Sequence, residues 1–245
     1  MKRINQALKR LIRRRGFDVS RYQPRTHAVA KKFDLMQRLG VDLVLDVGAN
    51  TGQFAGELRE QGYRGRIISF EPIAEVYRQL ESNAGRDPLW TTKNFALGNE
   101  DGQQTIHVSE KSWSSSLLQV TEASTSAYPD SRAVSSESIR VRRLDSVFPE
   151  LDADDATTWL KVDTQGYEMH VLEGAVQSLT RVAMLQLELA FVPLYQGQAL
   201  FHDVYPWVVE RGFRLGSLEC LNWNPESGDL LWLDGVFHRQ KEHRA

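Results

Sequence analysis

The residues with the clearest chemical use form a turn directly after residues 41–47, a short apolar run that predicts a buried strand. Glycines at positions 48 and 52 would let a ligand approach the backbone, and a helix predicted over 52–61 would offer unpaired N–H groups at its start. The residues of the turn that could face a ligand are Asp46, Gly48, Asn50, Thr51 and Gly52. This pattern predicts a small-ligand site at the end of the strand.

Glu71 ends a second predicted strand, 66–70, and follows Gly52 by 19 residues. An acidic residue about 20 residues beyond a glycine turn can accept hydrogen bonds from a ribose diol. Several adenosine-containing cofactors fit this pair of features. A dinucleotide site, however, prefers Gly-x-Gly-x-x-Gly, and Asp46 would repel a pyrophosphate. The same carboxylate could bind the ammonium of a methionine moiety, directly or through water.

A third acidic residue, Asp163, follows a strand predicted over 157–162. Ligands of open α/β sheets bind at the carboxyl ends of the strands, so Asp163 and Asp46 should flank one crevice. Lys161 shares a strand face with Asp163, and a lysine inside a buried strand needs a partner. Asp163 and Glu188, from the strand predicted over 181–189, are the two candidates.

These residues are positioned by alternating short apolar runs and amphipathic stretches, which predict βαβ units around a largely parallel sheet. Further helices are predicted over 73–84, 167–179 and 201–211. The last two strands, 213–218 and 230–237, are separated by a turn-rich segment and should pair antiparallel. Strand-like pieces at 104–108 and 139–142 flank a Ser-rich segment, 110–137, which we expect to form an acceptor-binding loop.

The chain has 245 residues and a formal charge of −2, which divides into +10 for residues 1–32 and −12 for the remainder. We expect a basic helical arm at 1–40 and one domain at 41–245. Residues 2–15 predict a basic amphipathic helix whose apolar positions are Ile4, Leu8, Leu11 and Ile12. This helix could dock on its own domain, join two copies in a homodimer, or lie on an anionic membrane.

The rest of the composition indicates the cellular compartment and the class of partner. Cys220 is the only cysteine, so one chain cannot form an internal disulfide. We find neither a secretory signal nor a run of about 18 apolar residues, and therefore expect a cytoplasmic protein, with the inner face of the membrane as a candidate contact. An acidic body argues against nucleic acid as a partner.

Four motifs together resemble the FkbM family of methyltransferases over roughly residues 40–240. They are Asp46-Val-Gly-Ala-Asn-Thr-Gly52, Phe70-Glu71-Pro72, Ala96-Leu-Gly98 and Leu160-Lys-Val-Asp-Thr-Gln-Gly-Tyr-Glu168. The last differs from the family pattern at Gln165, where an acid is frequent. The resemblance implies a Rossmann-like class I methyltransferase fold with a seven-stranded, mostly parallel sheet. It also implies S-adenosylmethionine as cofactor, with Asn94 and Ala96 near its adenine.

By the same resemblance, the reaction is expected to be O-methylation of a sugar, a lipid-linked glycan or glycolipid, or a polyketide-type small molecule. Such a transfer needs a group that takes the proton of the acceptor hydroxyl. Asp163, beside Lys161, is the first candidate for this base, and Glu188 and His202 are alternatives. Asp163 and Glu188 could instead hold Mg²⁺, because magnesium prefers oxygen ligands.

Two other functions stay open at this point. A nicotinamide-dependent oxidoreductase would share the fold, although the central glycine of its motif is missing. A non-enzymatic membrane adaptor could combine the basic helix with a degenerate domain. A nucleic-acid methyltransferase is disfavoured, because the strand ending at Asp163 lacks the Asn-Pro-Pro-aromatic motif that holds a flipped base.

Overall fold

The computed structural model describes residues 6–239. The helices are α1 (Gln6–Arg13), α2 (Ala28–Leu39), α3 (Gln53–Glu60), α4 (Ala74–Ala84), α5 (Glu122–Ala127), α6 (Leu144–Val147), α7 (Glu168–Glu173) and α8 (Phe201–Glu210). The strands are β1 (Leu43–Val47), β2 (Arg66–Phe70), β3 (Trp90–Lys93), β4 (Ala96–Leu97), β5 (Gly102–Ser109), β6 (Ala133–Arg142), β7 (Thr158–Val162), β8 (Val182–Ala190), β9 (Phe213–Trp223) and β10 (Leu230–Arg239).

Seven of the strands form one sheet in the order β3-β2-β1-β7-β8-β10-β9. The first five are parallel to one another, whereas β10 lies antiparallel between β8 and β9. The predicted α/β class and the mostly parallel sheet with an antiparallel C-terminal pair are confirmed. The strand order changes direction between β1 and β7, and open α/β sheets place their ligand crevice at this point.

Both faces of the sheet are covered by helices, so the central strands are apolar along almost their whole length. On one face, α6, α7 and α8 pack over Leu45 and Leu160. On the other face, α2, α3 and α4 pack over Val44 and Trp159. Asp46 and Lys161 are the charged exceptions within β1 and β7.

Helix α2 lies within the segment predicted to be an N-terminal arm and packs directly on the sheet. Its buried apolar side chains are Ala30, Phe33, Met36 and Leu39. Lys32 is buried as well, and its Nζ lies 2.8 Å from a carboxylate oxygen of Glu219 on β9. The second half of the predicted arm therefore belongs to the helical layer of the domain.

The amphipathic helix predicted over residues 2–15 is present as α1, and the predicted positions 2–5, with Ile4, lie outside the described residues. Leu8 and Leu11 are 49% and 56% exposed, so the described part of the chain leaves much of the apolar side of α1 uncovered. Within residues 6–239, none of the helices has both the length and the apolar character that a bilayer crossing needs.

The predicted helix over 167–179 is wrong in its second half, because α7 ends at Glu173 and a 3-10 turn follows at Ser178–Arg181. The carboxylate of Asp145 explains the change of direction. It accepts hydrogen bonds from the backbone N–H groups of Gln177 and Ser178, at 3.2 and 2.8 Å. These bonds take the place of continued helical bonds.

The Ser-rich segment also contains more structure than the sequence indicated. Strand β6 begins at Ala133, inside the predicted loop, and pairs antiparallel with β5 in a small sheet of order β4-β6-β5. The short helix α5 and a 3-10 turn at Pro129–Ser131 occupy the region between the strands. Strand β3 escaped prediction because its sequence, Trp-Thr-Thr-Lys, has only one large apolar residue.

The Lys32–Glu219 pair gives a stability prediction. Replacing Glu219 with Gln leaves a buried, uncompensated lysine charge, and we expect a loss of about 3–5 kcal/mol in the free energy of unfolding. Urea denaturation measures this loss. Asp34→Asn is the control, because it removes an exposed pair with Arg38 on the same helix and should cost less than about 1 kcal/mol. If both substitutions lower the free energy of unfolding equally, the buried Lys32–Glu219 pair does not have the stabilising role assigned to it.

Candidate functional site

A first cavity of about 390 Å³ opens at the carboxyl ends of β1, β2 and β7. This volume is within the usual range for small-molecule sites. Several predicted ligand-facing residues line it: Gly48, Asn50, Glu71, Ala96, Lys161 and Asp163. The sheet edge that the sequence indicated is therefore the edge where the cavity lies.

The glycines of the β1–α3 turn serve close packing of the protein as well as access to the cavity. Gly48 has φ 73°, and a Cβ atom there would lie 1.9 Å from the carbonyl oxygen of Asp163. Gly52 has φ 93°, and a Cβ there would lie 2.6 Å from the indole of Trp90. Neither position tolerates a side chain. Gly52 thus acts through the packing of the turn and does not line the cavity.

Asn50 connects this turn to two other segments. Its backbone N–H donates to Glu71 Oε2 at 3.0 Å, and its side-chain Nδ2 donates to Ser112 Oγ at 2.9 Å. Its Oδ1 accepts from the backbone N–H of Thr51 at 2.7 Å. Asn50 has φ 48°, a left-handed conformation that asparagine adopts more readily than most residues. Hydrogen bonds to Glu71, Ser112 and Thr51 consequently hold the β1–α3 turn in place.

Glu71 is buried at the end of β2, and its other carboxylate oxygen accepts from the backbone N–H of Ile73 at 2.9 Å. Burial raises the pKa of Glu71 to about 7, against the lowering effect of the bonds from Ile73 and Asn50. Asn94 lies behind this position and donates to the carbonyl oxygens of Glu71 and Pro72, at 3.0 and 3.1 Å. Asn94 therefore holds the chain after β2 in place without lining the cavity.

Lys161 lines the first cavity and lies between two carboxylates. Its Nζ is 3.2 Å from Asp46 Oδ1 and 3.5 Å from Asp163 Oδ2. Burial by itself lowers the pKa of Lys161, but the two carboxylates outweigh this effect and hold the pKa above its usual value. Asp46 is fully buried and also accepts from Ser69 Oγ. Asp46 therefore lies one layer below the cavity and supports Lys161.

Gln165 links Asp163 to a second buried acid. Its Nε2 donates to Asp163 Oδ1 at 3.0 Å and to Glu188 Oε2 at 3.2 Å. Its Oε1 accepts from the Tyr195 hydroxyl at 2.9 Å. Burial, reinforced by the charges of Asp163, Glu168 and Asp234, raises the pKa of Glu188 well above its ordinary value. The Gln165 amide thus lies between Asp163 and Glu188, where a third carboxylate would increase the repulsion between the acids.

A second cavity, of about 460 Å³, adjoins the first. Residues that line both cavities are Trp113, Asp163, Gln165 and Asp234. Asp163, whose side chain is 40% exposed, is therefore accessible from two sides. An arrangement of this kind can bring two ligands together at one carboxylate.

Comparison with known proteins identifies the family of this chain. The profile described as the Methyltransferase FkbM domain matches residues 46–215, more than two thirds of the chain. The chain belongs to the FkbM methyltransferase family. The matched range contains the β1–α3 turn, Glu71, Asp163 and Glu188.

Two curated relatives have recognisable sequence similarity. The 2-O-methyltransferase NoeI of Sinorhizobium fredii is 27% identical over 165 residues, covering 64% of this chain and 66% of NoeI. The AMB antimetabolite synthetase AmbE of Pseudomonas aeruginosa is 29% identical over 175 residues, covering 60% of this chain but only 8% of AmbE. The chain spans just under two thirds of one relative and a small part of the other.

Among solved structures, Streptococcus pneumoniae Sp1610 in complex with S-adenosyl-L-methionine, a putative tRNA (m1A22) methyltransferase, is 16% identical. The match has a TM-score of 0.47 and covers 86% of this chain and 74% of that one. The FkbM assignment and the sheet order give the chain a Rossmann-like class I methyltransferase fold.

The structure brings together most, but not all, of the residues predicted for this FkbM site. Asp46, Lys161, Asp163 and Glu188 form one connected group. His202 lies on α8 with an exposed ring and lines neither cavity. Sequence reasoning missed Lys32, Phe54, Ile73, Trp113, Gln186 and Asp234, which line the first cavity from distant parts of the chain.

The predicted Mg²⁺ site does not fit this geometry. Among residues 6–239, no group of three or more His, Cys, Asp or Glu side chains has an arrangement that could hold a metal ion. Asp163 and Glu188 instead share the amide of Gln165 as hydrogen-bond donor. We therefore derive no catalytic step through a metal.

The raised pKa of Glu71 gives a binding prediction. Ribose hydroxyls donate to a carboxylate, so cofactor affinity should fall as Glu71 becomes protonated below pH 7. With a pKa of about 7, we expect S-adenosylhomocysteine to bind about tenfold more weakly at pH 6 than at pH 8, by calorimetry. Glu71→Gln should weaken binding at pH 8 by about 1.5–3 kcal/mol and remove the pH dependence.

Glu75→Gln is the matched control, because Glu75 is exposed on α4 beside Arg78. This variant should keep the parental affinity and pH profile. Glu168 also has a pKa near 7, raised by burial. If the pH dependence of binding persists in Glu71→Gln, the titrating group is Glu168, and the assignment of the pH dependence to Glu71 is wrong.

Proposed function

We propose that this chain is an S-adenosylmethionine-dependent O-methyltransferase whose acceptor is a hydroxyl of a sugar, a glycolipid or a polyketide-type molecule. The observation that carries the proposal is the position of Asp163. Its carboxylate lines both cavities and is oriented by Lys161 on one side and Gln165 on the other. The name of NoeI, a 2-O-methyltransferase, supports oxygen as the methylated atom.

The first cavity has the chemistry that an adenosyl cofactor needs. Ile73, Ala96 and Leu97 provide apolar surface for an adenine ring, and Glu71 provides a buried carboxylate for a ribose diol. The β1–α3 turn, with Gly48 and Asn50, would hold the methionine part. When bound, S-adenosylmethionine supplies an electrophilic methyl group, which passes to the acceptor oxygen and leaves neutral S-adenosylhomocysteine.

The task of the protein is to orient the acceptor hydroxyl and take its proton. Asp163 and Asp234 are the two described acids that line both cavities. Asp163 is the proposed base, because its carboxylate is oriented by both Lys161 and Gln165, whereas Asp234 accepts from the Gln186 amide. Lys161 remains a cation and cannot accept a proton. Glu188 is more deeply buried, and its raised pKa favours the protonated form, which cannot act as a base.

Asp163→Asn tests the base directly. The amide keeps the size of the side chain but cannot accept the proton, so kcat should fall by about 10²–10⁴-fold. Affinity for S-adenosylhomocysteine should change only a few fold. Activity is measured by mass spectrometry of sugars and glycosides incubated with methyl-labelled S-adenosylmethionine.

His202→Asn is the control for this experiment and should keep parental turnover, since its ring is exposed outside both cavities. Glu188→Gln tests Glu188, the remaining alternative for the base. If Asp163→Asn turns over normally at saturating donor and acceptor while Glu188→Gln is inactive, Glu188 is the base and our assignment is wrong.

We also propose that α1 contacts an anionic membrane surface. Leu8 and Leu11 form an exposed apolar stripe, and Arg10, Arg14 and Arg15 are exposed around it. Apolar side chains flanked by arginines complement the interface and headgroups of an anionic bilayer. A contact of this kind would bring the enzyme to a lipid-linked acceptor.

Vesicle sedimentation tests this contact. The full chain should pellet with vesicles containing phosphatidylglycerol, and pelleting should decline with salt because the attraction is screened over about 8–10 Å. Leu8→Gln with Leu11→Gln should reduce binding, whereas Val209→Gln, another exposed apolar position, should not. Salt-independent pelleting, or a concentration-dependent dimer abolished by the double variant, would argue for a protein contact instead.

A further inference from the structure

We propose that the second cavity selects a neutral or amine-bearing sugar as acceptor and rejects acidic sugars. This inference rests on the proposed function, since it treats the second cavity as the acceptor site. It narrows the acceptor classes to one and adds a rule for the charge that the acceptor can carry.

Aromatic rings form much of the wall of the second cavity. Trp113, Tyr128, Tyr195 and Trp232 all line it, and they come from the segment between β5 and β6, the loop after β8, and β10. Aromatic rings offer broad apolar surfaces at a low cost in side-chain entropy, and Tyr and Trp add a polar group at the edge. The C–H face of a pyranose ring packs on such surfaces. A long, flexible acyl chain would need no polar groups between the rings.

Polar groups lie between these rings in the pattern that a polyol needs. Asn222 accepts a hydrogen bond from the Tyr128 hydroxyl through its Oδ1, which leaves its amide N–H₂ free to point elsewhere. Glu188 and Asp234 line the same wall, and both can accept hydrogen bonds from hydroxyls. Hydroxyls on a sugar would therefore meet both donors and acceptors on this wall.

The charged side chains among the described lining residues of this wall are acidic. Asp163 and Asp234 carry the charge, Glu188 favours its protonated form because its pKa is raised, and none of the lining side chains is Lys, Arg or His. Lys111 lies over the Trp113 ring at the rim, 5.7 Å from its centre, but it is in an ion pair with Asp130. A carboxylate or phosphate on the acceptor would thus face the like charges of Asp163 and Asp234, while Lys161, the cation behind Asp163, is already paired with Asp163 and Asp46.

The acids repel one another even before a ligand enters. Burial, with the nearby charge of Asp163, raises the pKa of Asp234 to about 6. An ammonium group on the acceptor would relieve this repulsion and could also lie against an aromatic face. A neutral hydroxyl would neither add to the repulsion nor relieve it. Amine-bearing and neutral sugars are consequently accepted, and uronic acids are excluded.

The segment between β5 and β6 is built into the same wall. Ser116 Oγ donates to the carbonyl oxygen of Gln165 at 2.6 Å, and Thr121 Oγ1 donates to the carbonyl oxygen of Leu194 at 3.1 Å. A backbone bridge also joins Val120 to Tyr195. These bonds make the Ser-rich segment a fixed part of the second cavity, so the position of Trp113 is coupled to that of Gln165.

Calorimetry on the full chain saturated with S-adenosylhomocysteine tests the charge rule. Three probes share one ring: methyl glucoside, methyl glucosaminide and methyl glucuronide. We expect the glucuronide to bind at least about tenfold more weakly than the glucoside, since a like-charge contact of 1.4 kcal/mol gives this factor. The glucosaminide should bind at least as tightly as the glucoside.

Two pairs of variants locate the effect. Trp232→Leu should weaken binding of all three probes, whereas Trp223→Leu, in the same hairpin but exposed and outside the cavity, should not. Asp234→Asn should narrow the gap between glucoside and glucuronide, whereas Asp229→Asn in the hairpin turn should leave it unchanged. If Trp232→Leu does not fold, binding of the three probes is measured on Trp232→Phe instead, which keeps an aromatic face.

Each outcome bears on a different claim. If the chain binds S-adenosylhomocysteine but none of the three probes, or binds the glucuronide as tightly as the glucoside, the inference is wrong while methyl transfer stands. Equal losses in Trp232→Leu and Trp223→Leu would place the sugar elsewhere and also overturn it. Failure to bind S-adenosylhomocysteine would count against the proposed function itself.

Discussion

The site depends on one buried cation held between two carboxylates. Asp46 and Lys161 are direct neighbours across the parallel pair of β1 and β7, so the register of the sheet determines the contact. Removing charges from water is costly, and only close pairing compensates for that cost. A slip of one residue would turn Lys161 to the opposite face and leave Asp46 unpaired. The ion pair and the strand register therefore specify each other.

The close approach of two turns extends this constraint to the cavities. The turn after β1 packs against the backbone of Asp163 where only glycine fits, at position 48. This contact places the two carboxyl ends of the strands side by side, and the two cavities open on either side of Asp163. Gln165 then occupies a left-handed conformation, φ 57°, which directs its amide between Asp163 and Glu188. Strain at one residue thus supports the geometry of two acids.

Sequence reasoning found the residues that follow strands, because strand ends and glycine turns are local signals. Asp46, Glu71 and Asp163 were placed at one edge by the rule for parallel sheets, and the structure confirms that edge. Asp234 could not be found in this way, since it reaches the cavity only after the antiparallel pairing of β10 with β8. His202 was proposed from its residue type, but the side chain lies outside both cavities. The end of α7 depended on Asp145, a contact over more than thirty residues.

Helix α2 changes what counts as the smallest folding unit of this chain. The family match begins at residue 46, and a cut at 41 follows from the apparent boundary of the arm. Such a cut would expose the sheet face beneath Phe33 and Met36 and would remove the lysine that pairs with Glu219. Tolerance to truncation follows burial and pairing rather than position in the chain. The autonomous unit therefore includes α2, and a shorter piece that retained all four FkbM-like motifs would lack one wall of its hydrophobic core.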